Sequence, residues 1–597
     1  MALQWLSGTG PRRTCPVCDA TGESRLILRC SGLPTRFAPR RTLLGCPTCG
    51  AAAFDPLPGT DYAEEPAGGE AALAFYLQQG AGLWSIASGL LAAAGPAPAE
   101  GPARRLLEIG CGFGFGLDFA RRALGLEVRG HDPSPQAAAG RRLLGLPIES
   151  GRFDPATTLA GQWDILLASE VLEHLADPVG ALRGLRAALA PGGVLVLTTP
   201  DIAAARPGLP EGLLLPLLSC GYHTILHSAA SLDLALRRAG FAAVEVVAQG
   251  AQLRARAGAA AALPSRPEAA DRRLYRTWLE TGAAAQPAGS DLHLGFLVRA
   301  YREAVNAGDL AAADHLLPGL DAALRRRFGR GLAAGAAWGA RPWSRSLRAL
   351  AARGPLCLGP LLLARGLHWL LAGELRPPLV PLFEAAAAEA TALRRALRSI
   401  GGDDADAEEV AWTAGAEAAL CAAAAGAADV AARLDRLGPA PDSDPAAAQA
   451  RAAALRRRAY VGLVNAGAYA AARRLAAVVA PALARAAEAG ALPEDSELDT
   501  LYCAAVVEAN GGTGADLEAA LGWLRALRDA ALRRLAAGAG GGSAAGLVWP
   551  ALALEHDLLA RLGRDAECAA LAAQGPRSLA ASLGVPPMPA GLGLGGG

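Results

Sequence analysis

Two carboxylates and an imidazole are grouped in the segment Ser169 to His174, SEVLEH. Glu170, Glu173 and His174 stand at positions i, i+3 and i+4, so on one helical turn they would share a face. A mixed oxygen and nitrogen set suits Mg²⁺, Mn²⁺ or Zn²⁺, and such an ion could bind the vicinal hydroxyls of a ligand and make them more acidic. The alternative is structural: the glutamates hydrogen-bond the loop and His174 packs at a sheet edge.

Four cysteines form two tight pairs near the start of the chain, Cys15-Pro-Val-Cys18 and Cys46-Pro-Thr-Cys49. Two Cys-x-x-Cys turns supply the tetrahedral sulfur set that structural zinc prefers. The alternative is a redox dithiol, but one redox pair needs no second, and no strand-helix unit surrounds either pair. We therefore expect a structural zinc without catalytic function, and we expect Cys30 not to be a ligand.

A short apolar strand, a glycine-rich turn and an apolar-periodic helix follow one another from Arg105 to Leu124. The turn contains three glycines, Gly110, Gly112 and Gly114. They permit a tight turn whose N–H groups approach a ligand at a helix N-terminus. The dinucleotide motif Gly-x-Gly-x-x-Gly/Ala fails in both registers, because its last position falls on Phe115 or Leu117.

The segment Glu108 to Gly114, EIGCGFG, resembles the first motif of class I S-adenosylmethionine (SAM) methyltransferases. The stretch GQWDILLASEVLEHLADPVGALRGLRAALAPGGVLVLTTPD looks like the fourth strand, crossover helix and fifth strand of that family. Ser231 to Val247 is similar to its closing helix and terminal strand. The resemblance, from about Ala103 to Val247, implies an α/β, Rossmann-like seven-stranded core that transfers a methyl group from SAM.

The resemblance also implies where SAM binds. Asp132 ends the second strand, where the family's carboxylate accepts both ribose hydroxyls; its alternative role is to cap the helix that follows. Phe153 falls where the family contacts adenine. The full expected set for the cofactor is Glu108, Gly110, Gly112, Gly114, Asp132, Phe153 and Ser169.

Ubiquinone-type O-methyltransferases and small-RNA 3′-end methyltransferases resemble this chain more specifically, since they carry a Glu-x-x-Glu-His associated with a divalent metal. The RNA enzymes add a later histidine, which by position matches His223. The resemblance implies catalytic roles for Glu170, Glu173 and His174, and a divalent ion held by these residues together with His223. Without metal, His174 is the expected base; His227 is expected at the surface, next to a helix cap at Ser228.

The second half of the chain has a helical pattern in which helices are separated by small glycine-containing turns. Such pairs resemble a degenerate tetratricopeptide-like solenoid, with a plain α-bundle as the alternative. We read this part as a module for docking, self-association or holding the acceptor. The predicted layout is a zinc ribbon (1–60), a helical connector that could cover the cofactor (61–100), the methyltransferase core (101–250), a linker (251–295) and a C-terminal all-α solenoid-like domain (296–590).

Composition excludes several functions. All 57 basic residues are arginine, which rules out P-loop, Schiff-base and Ser-x-x-Lys chemistry that depends on a lysine amine. The net charge of +1 offers no field that would concentrate nucleic acid or anionic membrane. The start of the chain lacks a secretory pattern and no membrane span is predicted, so a cytoplasmic protein is expected.

Three functions follow in order of preference. The first is O-methylation of a sugar, a glycan or another small hydroxylated metabolite. The second is RNA 3′-terminal 2′-O-methylation, against which the neutral charge stands. The third is an interaction scaffold that binds the cofactor without turnover.

Overall fold

The computed structural model divides the chain into two compact units. The first unit comprises Met1–Arg376, Ala385–Ala411 and Pro441–Pro445; the second comprises Pro377–Glu384, Trp412–Ala440 and Ala446–Gly597. The structure describes residues 2–33, 38–57, 69–80, 82–95, 104–151, 162–258, 260, 263, 271–339, 346–374, 379–399, 402, 404–442, 444–488, 495–511, 513–537, 542–573 and 580. Among these residues, no helix is both long and apolar enough to cross a bilayer.

The first unit begins with an antiparallel sheet, here called the N-terminal sheet. Its strands are β1 (Ala2–Trp5), β2 (Thr9–Thr14), β3 (Thr21–Ser31), β4 (Arg40–Gly45), β5 (Ala52–Asp55) and β11 (Ile225–Leu226). The order is β1-β3-β4-β5-β11, with β2 also paired to β3. The two cysteine pairs lie in the turns before β3 and before β5. The last strand, β11, comes from the middle of the chain, which the sequence analysis did not anticipate.

The second sheet has seven strands in the order β12-β13-β10-β9-β6-β7-β8. The strands are β6 (Arg105–Ile109), β7 (Glu127–Asp132), β8 (Ile148–Ser150), β9 (Trp163–Ser169), β10 (Leu189–Pro200), β12 (Ala243–Gln249) and β13 (Gln252–Gly258). Strands β6 to β10 are parallel, whereas β13 pairs antiparallel with β10 and β12. This mixed, Rossmann-like sheet agrees with the predicted core.

Helices cover both faces of this sheet, as alternation of apolar strands with amphipathic helices requires. They include α2 (Leu83–Ala94), α3 (Phe115–Leu124), α4 (Pro135–Leu144), α5 (Pro178–Ala188) and α7 (Ala229–Arg238). Two further helices lie in this part of the chain, α1 (Glu70–Gln79) and α6 (Glu211–Leu218), and α6 packs in the core of the N-terminal sheet. Ser228 caps α7 with a reciprocal capping box, in agreement with the expected cap.

The expected linker at 251–295 is structured in its described parts. Strand β13 completes the sheet, and α8 (Asp271–Ala284) and the first residues of α9 (Asp291–Asn306) follow. Trp278 on α8 donates from Nε1 to Asp118 on α3 at 2.8 Å, and its ring meets Phe115 and Phe296 edge-on. These aromatic contacts fasten α8 and α9 to the core, which is why the segment is not a free connector.

The remaining helices of the first unit are α10 (Leu310–Phe328), α11 (Leu347–Ala351) and α12 (Leu358–Leu371). Helices α13 (Leu379–Ser399) and α14 (Ala405–Ala424) each contribute residues to both units. The expected single helical domain at 296–590 is therefore divided, because its first helices share one hydrophobic core with α2 and α3.

The second unit consists of helices in its described part. They are α15 (Val430–Leu437), α16 (Pro445–Asn465), α17 (Tyr469–Glu488), α18 (Asp495–Ala509), α19 (Gly514–Ala536), α20 (Gly542–Arg561) and α21 (Asp565–Ala573). Residues buried in the core of this unit are mostly alanine and leucine, so its helices pack through small side chains.

Candidate functional site

The chain reverses its direction of winding between β6 and β9. From β6 the strand order proceeds through β7 and β8 on one side, and from β9 through β10 on the other. The carboxyl ends of two adjacent parallel strands in an open α/β sheet border a ligand crevice at such a switch point. Ile109 pairs with Ala168 in register, so Gly110 and Ser169 follow them at the same edge.

The glycine turn adopts backbone angles that favour glycine. Gly110, Gly112 and Gly114 have φ of 66°, 49° and 83°. A Cβ at Gly110 would approach Val171 Cγ2 to 2.5 Å, so the turn packs tightly against the segment that carries the acids. By contrast, the nearest atom of the described residues to a Cβ at Gly112 is Gln136 Oε1 at 3.9 Å. Within the described part of the chain, the turn is therefore closed toward Val171 and open at Gly112, where a ligand can approach the backbone.

Asp132 holds the glycine turn from the end of β7. Its Oδ2 accepts the N–H of Gly112 at 2.7 Å and its Oδ1 accepts the N–H of Ser134 at 2.7 Å. The side chain of Ser134 makes no capping bond to α4, so the carboxylate also organises the start of that helix. Asp132 thus performs part of the expected capping role, and it retains lone pairs on both oxygens for further donors.

Glu108 lies beneath the turn. It is 3% exposed, and it accepts the N–H of Leu117 in the first turn of α3. A Cβ at Gly116 would come within 2.8 Å of both carboxyl oxygens, which shows how tightly the helix covers them. Burial raises the pKa of Glu108 to about 8. The structure therefore gives Glu108 a position that supports the turn and α3.

We expect the wild type to lose stability as the pH becomes alkaline, and we expect the Glu108→Gln variant not to show this loss. The pKa of the folded carboxyl, about 8, exceeds its ordinary value of 4.5, so its stabilising contribution is complete below about pH 4.5 and is lost as the pH rises through about 8. In thermal unfolding from about pH 5 to about pH 9, the Tm of the wild type should fall relative to that of the variant. The exposed Glu127→Gln is the control; an identical pH dependence for all three proteins would contradict a buried, protonated Glu108.

The connector helix α1 contacts the glycine turn through an aromatic side chain. Tyr76 stacks parallel to Phe115 with ring centroids 6.2 Å apart and meets Phe113 edge-on at 5.7 Å. Tyr76 itself is 37% exposed. An aromatic ring beside the turn offers a flat apolar surface next to the open side at Gly112.

Three of the four predicted metal ligands converge at the other half of the edge. Donor atoms of Glu173, His174 and His223 all lie within 4.8 Å of one another. Glu173 Oε1 is 3.7 Å from His174 Nε2 and 3.9 Å from His223 Nε2. We call these three residues the acid–histidine cluster.

Hydrogen bonds orient both imidazoles toward Glu173. His223 Nδ1 lies 2.9 Å from the carbonyl oxygen of Leu217, and His174 Nδ1 lies 3.3 Å from that of Tyr222. Because a carbonyl oxygen only accepts, each Nδ1 carries the proton and each Nε2 presents its lone pair to the cluster. Burial and the nearby His174 lower the pKa of His223 to about 3, so its ring is neutral.

Glu173 is the buried centre of the cluster. Its Oε2 accepts from Thr199 Oγ1 at 2.9 Å, whereas its Oε1 is buried and accepts no hydrogen bond from the residues that the structure describes. Burial raises the pKa of Glu173 to about 7. One buried carboxyl oxygen that faces two imidazole lone pairs is a donor set that a divalent ion fits.

Glu170 does not join these three ligands. The predicted shared helical turn is absent, since only Leu172–His174 form a 3₁₀ turn and Glu170 has a left-handed φ of 54°. Its Oε1 accepts from Thr198 Oγ1 and Gln252 Nε2, both at 2.9 Å. Although part of the residue is exposed, desolvation of its carboxyl and the charge of Glu173 raise the pKa of Glu170 to about 8.

The four paired cysteines form a second cluster. The Sγ atoms of Cys15 and Cys49 are 3.7 Å apart, as are those of Cys18 and Cys46, and all four lie within 4.8 Å of one another. Ligands about 2.3 Å from a tetrahedral zinc are about 3.8 Å apart, so the arrangement fits this metal.

Several site residues escaped the sequence analysis. Cys30 is disulfide-bonded to Cys220, which was not foreseen across 190 residues. His227 is fully buried, contrary to the expected surface position, because its backbone bridges to Asp201 inside the unit. Thr198 and Thr199 lie near the end of an apolar strand, and only that position at the sheet edge could have indicated that they belong to the site.

Ser169 lies as predicted at the end of β9, with its Oγ 2.8 Å from Thr198 Oγ1, and Phe153 lies outside the described residues.

Comparisons with known proteins find sequences and structures that resemble part of this chain. Residues 83–246 match the family model described as a methyltransferase domain. A ubiquinone biosynthesis O-methyltransferase from Cereibacter sphaeroides is 40% identical over 111 residues, which are 17% of this chain and 43% of that protein. Its counterpart from Bordetella avium is 39% identical over 105 residues, 16% of this chain and 42% of that protein. A SAM-dependent methyltransferase structure from Mesorhizobium loti has a TM-score of 0.25 at 22% identity, with 30% of this chain and 99% of that chain covered.

Residues 83–246 thus correspond to a methyltransferase domain. The chain spans less than half the length of the curated relatives described above.

Proposed function

We propose that the protein transfers the methyl group of SAM to a hydroxyl oxygen of a small hydroxylated acceptor, with a sugar or glycan as the preferred class. The observation that carries this proposal is the placement of two half-sites at one switch point. The glycine turn follows β6 and Asp132 ends β7, while Glu173 and His174 follow β9 and His223 precedes β11.

SAM, when bound, supplies an electrophilic methyl carbon on a sulfonium. The acceptor oxygen forms a bond to that carbon while the carbon–sulfur bond breaks, and the hydroxyl proton must leave. His174 is the proposed base, because it is the least buried member of the cluster, with 22% of its side chain exposed, and because the contact of its Nδ1 with the carbonyl oxygen of Tyr222 makes Nε2 the basic nitrogen. The role proposed for Asp132 is to accept the ribose hydroxyls.

The same cluster supports a divalent cation, held by Glu173, His174 and His223. The mixed oxygen and nitrogen donors suit Mg²⁺, Mn²⁺ or Zn²⁺. Such an ion would make an adjacent vicinal diol more acidic. Glu170 would then act from outside the ligand set, through its bonds to Thr198 and Gln252.

A second candidate is methylation of the 2′ oxygen at an RNA 3′ end. It is favoured by the convergence of His223 with Glu173 and His174, since the resembling RNA enzymes add a histidine at this place. An RNA 3′ end also presents a vicinal diol to such an ion. The net charge of +1 still weighs against it.

Two supporting roles complete the proposal. The cysteine cluster holds a structural zinc in a ribbon-like sheet, which the tetrahedral sulfur spacing supports. The tetratricopeptide-like second unit docks a protein partner, a second copy of the chain or the acceptor; its stacked Ala/Leu helices support a surface role.

The test is calorimetric titration with SAM, followed by transfer of a labelled methyl group to a panel of sugars and to a short RNA. We expect SAM binding in the micromolar range and transfer that Mg²⁺ or Mn²⁺ stimulates. Each acceptor is paired with its deoxy analogue, which lacks one of the vicinal hydroxyls and should be inactive. A folded protein that does not bind SAM would overturn the transferase and favour the scaffold.

A further inference from the structure

The N-terminal sheet is completed by a strand from the methyltransferase core. Ile225 and Leu226 of β11 pair with Ala53 and Ala52 of β5. Next to them, the N–H of Phe54 donates to the carbonyl oxygen of Thr224 at 3.0 Å. This strand directly follows His223, so a ligand of the acid–histidine cluster is attached to the edge of the cysteine-bearing sheet.

Thr224 connects this sheet edge to the other two ligands. Its backbone N–H donates to the carbonyl oxygen of Glu173 at 2.6 Å, and its hydroxyl donates to that of His174 at 3.2 Å. Thr224 is 2% exposed, so water cannot replace these bonds at full strength. One residue therefore fixes the 3₁₀ turn that carries Glu173 and His174 at a set distance from His223.

Further contacts attach the cysteine turns to the same region. Ser228 Oγ donates to the carbonyl oxygen of Cys49 at 3.4 Å, and Arg238 binds the carbonyl oxygen of Val17 and the carboxylate of Asp19. The disulfide Cys30–Cys220 adds a covalent link three residues before His223.

Among the described residues, these hydrogen bonds, the strand pairing and the disulfide reach one half of the site, whereas the contact of the N-terminal sheet with β6 is the apolar core that Ala53 shares with Ile109. The hydrogen bonds, the pairing and the disulfide involve residues 220–238, on the side of the acid–histidine cluster. The glycine turn instead follows β6, Asp132 ends β7, and the two are held by each other. A change in the N-terminal sheet is therefore expected to act on the cluster and to leave the cofactor half unchanged.

We propose that the cysteine-bearing N-terminal sheet sets the geometry of the acid–histidine cluster, with Thr224 as the positioning residue between them. This sheet then determines the affinity of the cluster for a divalent cation but does not determine SAM binding. The inference rests on the proposed function in one respect, that the cluster binds such a cation.

The test uses Mn²⁺ binding to the full chain, measured by electron paramagnetic resonance, alongside calorimetry with SAM and the zinc content of each sample. Thr224→Val removes the hydroxyl donor and keeps the side-chain volume. Because one buried hydrogen bond is lost, Mn²⁺ affinity should fall about three- to tenfold while SAM affinity and zinc content stay constant. Thr224→Ser keeps the donor and should restore the affinity.

Thr14→Val is the matched control, since it removes a Thr14–Thr21 hydroxyl contact in the same sheet but away from Thr224. It should leave all three measurements unchanged. If Thr224→Val does not fold, the wild type is treated with a mercurial that displaces metal from thiolates, and Mn²⁺ affinity should fall while SAM affinity is retained.

Equal Mn²⁺ affinity in the wild type and Thr224→Val, or after zinc release, would overturn the inference and leave the transferase intact. An equal loss of Mn²⁺ and SAM affinity would also overturn it, as general destabilisation. A wild type that binds SAM but no Mn²⁺ would refute the inference together with the cation role, whereas a wild type that binds no SAM would refute the transferase itself.

Discussion

Asp132→Ala is expected to weaken SAM binding about 100-fold or more. The carboxylate accepts the N–H of Gly112 and that of Ser134, and it stands where the ribose hydroxyls are proposed to bind. Hydrogen bonds to a charged group contribute about 1.5–3 kcal/mol each. The loss of the two proposed bonds from the ribose hydroxyls therefore costs at least about 3 kcal/mol of binding free energy, roughly a 100-fold change in affinity. Calorimetric titration of SAM into the folded variant measures the effect.

The same sheet offers a matched control at its opposite end. Asp164 Oδ2 accepts the backbone N–H of Arg105 at 2.7 Å, a bond of the same kind between the starts of β9 and β6. Asp164→Ala should reduce stability and leave SAM affinity within about twofold of the wild type. If the two variants lost affinity equally, the ribose role of Asp132 would have to be abandoned.

Glu173→Gln is expected to lower divalent-cation affinity at least tenfold and to reduce methyl transfer in parallel. The substitution keeps a side-chain oxygen that can accept the bond from Thr199 but removes the negative charge that faces two imidazoles. A neutral amide is a much weaker ligand for Mg²⁺ or Mn²⁺ than a carboxylate. Mn²⁺ titration and a transfer assay at saturating SAM measure the two effects separately.

Glu170→Gln is the comparison that isolates the metal role. Glu170 belongs to the same segment and has a similarly raised pKa, but its Oε1 is occupied by Thr198 and Gln252. It should lose less cation affinity than Glu173→Gln, while both variants bind SAM normally. A larger loss at Glu170 would mean that the ligand set differs from Glu173, His174 and His223.

Local patterns predicted much of the site. The glycine turn, the strand end at Asp132 and the two cysteine pairs depend on residues close in the chain, so spacing alone indicated their geometry. The structure differs from the prediction where the position of a residue depends on a segment far away in the sequence. Glu170 does not share a helical face with Glu173 and His174, because its carboxyl accepts a hydrogen bond from Gln252. Gln252 is a residue of β13, in the segment that was expected to be a linker.

The segment 252–258, QLRARAG, explains that error. Its alternation of buried and partly exposed residues is typical of a strand, but its composition of alanine, arginine and glycine is equally typical of a connector. The segment forms a strand because it pairs with the edge of β10. The Cys30–Cys220 bond and the burial of His227 also depend on partners far away in the sequence, so no local pattern could indicate them.

The origin of β11 has a consequence for biosynthesis. The edge of β5 stays unpaired until the ribosome has added about 170 further residues, which takes roughly 10 to 30 seconds at 5–20 residues per second. During that interval the nascent chain exposes an open strand edge, the kind of surface that pairs with other chains. The first sixty residues are thus poorly suited to being produced alone or grafted onto another protein, because the strand that closes their sheet would be left behind.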